Sequence, residues 1–239
     1  MEYRAITAEN FYLIEMRNTC KFILENKVEE DLKKMLKANN ILETVSESNF
    51  SKKCNTINKR LKSLTDNLKK QIVNTDLASA KFINLYSILC NERFILEFLE
   101  EVVKEKYDNY SYYIKESDFS NYMETKSEQS KVIQNWTAEG KRRMLIKVKN
   151  FLTEGGYLEK NKEDYKIIKP IVDLAVIDDI KENGNKKILK KEEISSMDDI
   201  SKKIDIVDKK SSNITEEEAK SIANNFINKL NNETMEVLS

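Results

Sequence analysis

The chain has 239 residues, 40% of them apolar, with 41 basic and 41 acidic side chains and no histidine. That is enough apolar material for a sizeable core, and 34% charged residues keep the surface polar. Four glycines and one proline exclude a glycine-rich phosphate loop and argue against a turn-rich all-β fold. The missing histidine removes the commonest general base and metal ligand.

The neutral total hides an uneven distribution. Residues 41–75 hold 7 basic and 3 acidic side chains, and residues 131–170 hold 10 and 5. The stretch between them, 76–130, is acidic, with 6 against 11. Local patches of this kind decide polyanion binding more than the global charge does. Cys20, Cys54 and Cys90 are odd in number and stand at no metal-ligand spacing, so free thiols in a reducing cytoplasm are expected. Glu2 and Arg4 interrupt the start, and no apolar signal-peptide core follows. No run approaches the roughly 18 apolar residues of a membrane span.

In chain order, residues 8–25 read as a first helix with Phe11, Ile14 and Phe22 inward, and 28–38 as a second, ended by Asn39-Asn40. Residues 51–73 read as one long amphipathic helix. Ile57, Leu61, Leu64, Leu68 and Ile72 keep the 4-3-4-4 spacing of a single helical face. The other faces of this helix carry Lys52, Lys53, Lys59, Arg60 and Lys62. Residues 1–75 thus form a helical unit of helix-turn-helix type. Its third helix presents either a second DNA-binding patch or a solvated face.

Residues 76–90 and 91–107 are two helices apolar over much of their circumference, which places them at the centre of a bundle. They make 76–116 a hub. Tyr107, Tyr110, Tyr112 and Tyr113 follow in the acidic segment and read as packing at a core edge.

Asp118 is expected to cap the first helix of a winged-helix-like unit over 117–182. Ser130 to Trp136 is a short helix, and Trp136 is expected to wedge between it and the next. Thr137 then suits an N-cap, its hydroxyl accepting a free backbone N–H. Met144, Leu145, Val148, Phe151 and Leu152 share one face of the helix that follows, and Gly155-Gly156 stops it. Tyr157–Lys160 and Tyr165–Ile168 make a hairpin around Asn161–Asp164. Lys141, Arg142, Arg143, Lys147 and Lys149 lie off the apolar face, and Lys160, Lys162 and Lys166 on or beside the hairpin. Such a helix fits a major groove, with the hairpin on backbone phosphate. The same surface also suits a protein partner.

Pro170 closes the hairpin and 171–180 is the last helix of the folded body. Residues 183–239 read as a charged linker followed by an amphipathic helix at 215–230. The expected fold is therefore mostly α, a multi-helix bundle with a winged-helix-like unit carrying one short β-hairpin.

Three stretches resemble the BrxA family, the small helical proteins of BREX phage-exclusion systems: SKKCNTINKRLKSL with Thr56, Ile57, Arg60 and Leu64; LASAKFINLYSILCNERFILEFLEEVVKEKY; and WTAEGKRRMLIKVKNFLTEGGYLE with its hairpin. The likeness spans about residues 1–185 and does not reach the tail. It implies a mostly helical protein that binds double-stranded DNA, acts with other BREX components and has no catalytic activity of its own. Expected contacts are Lys141, Arg142, Arg143, Lys147, Lys149, Lys160 and Lys162, with Lys52, Lys53, Lys59 and Arg60 as the second patch. No cofactor, metal or membrane is expected. The alternative is an assembly adaptor without nucleic-acid binding, and an RNA-binding bundle ranks third because no RNA-binding signature is present.

Overall fold

Helix α1 (Leu13–Asn26) begins later than the expected residue 8. The backbone before it turns through a left-handed Tyr12, with φ 55°. The Phe11 carbonyl accepts from Arg60 Nη1 at 2.6 Å and from Asn84 Nδ2 at 2.7 Å. The Asn10 carbonyl accepts from Arg60 Nη2 at 2.8 Å. Those two carbonyls are therefore engaged by distant side chains, and the first twelve residues run as an arm without helix. The computed structural model describes residues 1–26 and 31–184. The start of the second expected helix and the whole 185–239 tail lie outside them.

Helix α2 (Leu32–Ala38) is capped by Asp31. The long third helix is in fact two, α3 (Glu47–Leu61), capped by Ser46, and α4 (Asp66–Asn74), capped by Thr65. Thr65 takes extended backbone angles, and its hydroxyl accepts the Leu68 N–H at 3.0 Å and donates to Asp179 at 2.5 Å. The apolar spacing survives this break, since Leu61, Leu64, Leu68 and Ile72 are all buried.

Helix α5 (Leu77–Leu89) starts at Asp76, whose carboxylate accepts the N–H groups of Ala78 and Ser79. It is buried along most of its length and packs against α1, α3 and α4. It also packs against α6 (Arg93–Phe98) and α10 (Ala138–Glu154), so contacts run across the expected 75/76 and 116/117 boundaries. The α6 helix widens into a π-helical turn at Leu99–Lys104 and ends as α7 (Glu105–Asp108). Phe94, Ile95, Phe98 and Val103 are all in the core.

After α7 a two-residue strand, β1 (Tyr113–Ile114), precedes α8 (Glu116–Gln129). Asp118 is not the N-cap residue of α8, which is Lys115, but caps the helix from inside its first turn, accepting the Lys115 N–H at 2.7 Å. The short helix α9 (Lys131–Gln134) leads into α10. Trp136 packs on Phe94 of α6, with ring centroids 5.7 Å apart.

Strands β2 (Leu158–Asn161) and β3 (Asp164–Ile167) form a tight hairpin over Lys162-Glu163, with Lys162 left-handed at φ 55°. β1 joins β3 on its far side, giving a three-stranded antiparallel sheet in the order β1-β3-β2. Strand β1 is an addition to the expected hairpin. Helix α11 (Leu174–Asn183), capped by Asp173, begins three residues past the expected start and leaves Ile171 89% exposed. Among the described residues no helix is long and apolar enough to cross a membrane.

Candidate nucleic-acid interface

Helix α10 is fixed at both ends by local chemistry. At its start the Thr137 hydroxyl accepts the Gly140 N–H at 3.0 Å. A Cβ on Gly140 would stand 3.1 Å from that oxygen, so glycine suits the cap. At its end Gly156 takes φ 83°, and the Tyr157 N–H reaches back to the Leu152 carbonyl at 2.9 Å. Gly155 lies so close to α5 that a Cβ would meet Leu85 Cδ2 at 2.6 Å. Met144, Val148, Phe151 and Leu152 are buried, while Leu145 is half-buried. The helix therefore has a defined outer face, on which Arg142, Ile146 and Asn150 follow at intervals of one turn.

The expected cations divide into two kinds. Arg142 and Arg143 project from the first two turns, with side chains 63% and 59% exposed. Both are held by Glu139. Arg142 donates through Nε at 2.7 Å and Nη2 at 2.8 Å, and Arg143 through Nε at 2.6 Å. These bonds, from Arg142 first and then Arg143, hold the Glu139 carboxyl down at about 2. Lys141 is half-buried beside them. Lys160, Lys162 and Lys166 are exposed on the hairpin.

Lys147 and Lys149 are instead tied to the scaffold. The Lys147 ammonium donates to Asn10 Oδ1 at 2.9 Å, and burial lowers its proton affinity. Lys149 is ion-paired to Glu116 and lies 4.8 Å from the centre of the Phe119 ring.

The second patch is largely folded inward. Arg60 is 2% exposed, donates to the carbonyls of the N-terminal arm, and is pushed down to about 10 by burial. It was expected on a solvated face, and burial removes it from reach of a phosphate. Lys59 pairs with the buried Glu92 at 2.7 Å. Lys53 pairs with Glu15 at 2.8 Å and donates to the Leu42 carbonyl at 3.1 Å. Lys52 is exposed.

The tyrosine cluster differs from expectation in part. Tyr107 is half-buried and its ring meets that of Tyr112 edge-on at 5.5 Å, but Tyr110, Tyr112 and Tyr113 are 82%, 40% and 43% exposed. Tyr110 is lifted out by a left-handed backbone at φ 58°. The three cysteines are free and buried, and burial pushes the Cys20 thiol up to about 12, which keeps it unreactive. Among the described residues no group of three or more Cys, Asp or Glu side chains is placed to hold a metal. Glu139, Ile146 and Asn150 also stand exposed on this surface, and carry no positive charge to mark them in the sequence. The Glu139 spacing to Arg142 and Arg143, three and four residues, was the signal available for the first.

The fold and sequence have known counterparts. The crystal structure of an uncharacterized protein from Magnetospirillum magneticum superposes with a TM-score of 0.64 at 18% identity, covering 79% of this chain and 96% of that one. That match speaks to fold alone. A protein of Bacillus cereus (strain H3081.97) described as BREX protein BrxA is 28% identical over 183 residues, 75% of this chain and 90% of the relative. The family model for BrxA matches residues 1–184. Matched by that model over most of its length, the chain belongs to the BrxA family.

Proposed function

We propose that this chain is a DNA-binding accessory protein of a bacterial BREX phage-defence system, acting in the cytoplasm and without a catalytic centre of its own. Family membership and the BREX description carried by the Bacillus relative support the phage-defence part. In the DNA-binding part, α6–α7, β1, α8, α10 and the β2–β3 hairpin act as a winged helix. The order helix, short strand, helix, helix, hairpin, with only the one-turn α9 added between α8 and α10, supports that reading, as does the sheet order β1-β3-β2. Helix α10 is then the element for the major groove and the hairpin the element for backbone phosphate. The observation that carries the proposal is the outward pair Arg142 and Arg143 at the first turns of α10.

The test is a duplex titration across a salt series. Wild type loses affinity steeply as salt rises, because each bound cation displaces a counterion. The triple variant K141E/R142E/R143E binds at least about tenfold more weakly at low salt. Unchanged affinity in that variant removes the site.

A second reading has one observation in its favour. Tyr110, Tyr112 and Tyr113 stand exposed in an acidic stretch. Exposed tyrosine is common in protein–protein contacts. An adaptor for other BREX proteins would copurify with them, lose them on Tyr110→Ala/Tyr113→Ala substitution, and bind no duplex even at low salt.

A further inference from the structure

The carboxylate of Glu139 does not merely sit near the arginines of α10. It takes the side edge of the Arg142 guanidinium, Nε at 2.7 Å and Nη2 at 2.8 Å, in a two-pronged contact. The same carboxylate accepts Arg143 Nε at 2.6 Å. A guanidinium is rigid and planar, with five N–H donors in a fixed fork. Holding one edge therefore fixes the direction of the other. The terminal edge of Arg142, Nη1 with the second hydrogen of Nη2, faces out of the contact, on a side chain 63% exposed.

Guanine presents N7 and O6 side by side in the major groove, and the terminal edge of an arginine matches that pair. A surface built only to attract phosphate would do better without the glutamate, since its charge cancels one of the two arginines. Presenting a fixed donor pair to a base edge has the opposite requirement, because a free arginine must be ordered on binding at an entropic cost.

We propose that Glu139 is a positioning residue that presents the terminal edge of Arg142 to guanine, making the start of α10 a base-reading point rather than a charge patch. This rests on the DNA-binding reading above and goes beyond it by naming the base and the residue that sets specificity.

The experiment uses the full chain and a pool of duplexes with a randomised 20-base-pair centre, sequenced before and after binding. Wild type is expected to enrich guanine at one or more fixed positions, by about tenfold, the range of a good bidentate contact. R142K keeps the charge and loses the enrichment, since an ammonium has no planar fork. E139Q binds the pool more tightly at low salt, one negative charge being gone, yet loses the enrichment. E139D keeps the charge, cannot span to both arginines, and loses enrichment with no gain in affinity. Melting curves on each variant separate these effects from loss of fold.

Guanine enrichment unchanged in both E139Q and E139D overturns the proposal. So does wild-type binding with no guanine preference, which leaves the DNA-binding reading standing. Failure of the wild type to bind any duplex at low salt removes both.

Discussion

The two segments richest in positive charge, 41–75 and 131–170, look alike on paper but send their arginines opposite ways in the fold. In the first, Arg60, Lys59 and Lys53 turn inward onto acids and carbonyls from far along the chain: Glu9, Asn10, Phe11, Glu15 and Glu92. In the second, Arg142 and Arg143 stand outward, and their one acidic partner, Glu139, is a turn away on the same helix. A segment's charge count cannot see partners 33 or 50 residues distant, such as Glu92 for Lys59 or Asn10 for Arg60. The first cluster fastens the N-terminal arm to α3 and the hub. The second leaves donors directed at solvent.

Substitutions that exchange the two behaviours would break this contrast. The largest effect is expected at Arg60. Arg60→Ala leaves the buried Phe11 carbonyl with one donor fewer and Glu9 without this partner, and should cost about 3–5 kcal/mol of stability. Urea unfolding measures it, and the duplex affinity of the folded fraction should stay at the wild-type value. A loss of DNA binding with stability intact would show that Arg60 belongs to the interface after all. Next in size is the hairpin variant K160Q/K162Q/K166Q. It should weaken duplex binding by about tenfold and flatten the salt dependence, each lost phosphate contact taking roughly 0.9 from the log–log slope. Lys59→Gln should leave that slope unchanged.

Thr65→Val comes next, at about 1 kcal/mol for a lost N-cap, with the Asp179 carboxylate losing a donor as well. This residue also shows what the sequence disclosed and what it concealed. The apolar spacing from Ile57 to Ile72 located a buried face correctly, because burial depends on periodicity. It could not locate the break at Thr65, since a short turn kept the face in phase. The Thr137 cap and the Gly155-Gly156 stop were legible, because each is local chemistry, and so was the burial of α5, from its run of apolar residues. Strand β1 was not. Two residues carry no alternation, and what makes them a strand is β3, roughly fifty positions later. The candidate site was legible as a set of cations and illegible as an arrangement. Lys147 and Lys149 match Arg142 in charge, yet Asn10 and Glu116 hold them against the scaffold.

The smallest effect separates the inward and outward acids by pH. Glu97, nearly buried, would be raised by desolvation alone. Hydrogen bonds from Lys126, Tyr3 and Arg93 outweigh that and hold it below its ordinary value of 4.5. A carboxylate depressed by folding contributes stability that is complete above the unfolded value and is lost as pH falls through the folded one. Wild type should therefore melt at progressively lower temperature once pH drops below about 4.5. Glu97→Gln should be less stable at neutral pH and show a shallower decline in acid. Glu139 is depressed too, but exposed, so solvent screens its contribution to the fold. Glu139→Gln should leave the acid limb of the melting curve close to wild type while changing DNA selection. If instead Glu139→Gln flattens the acid limb as much as Glu97→Gln does, the outward fork is part of what holds the protein together, and the division between the two basic segments is wrong.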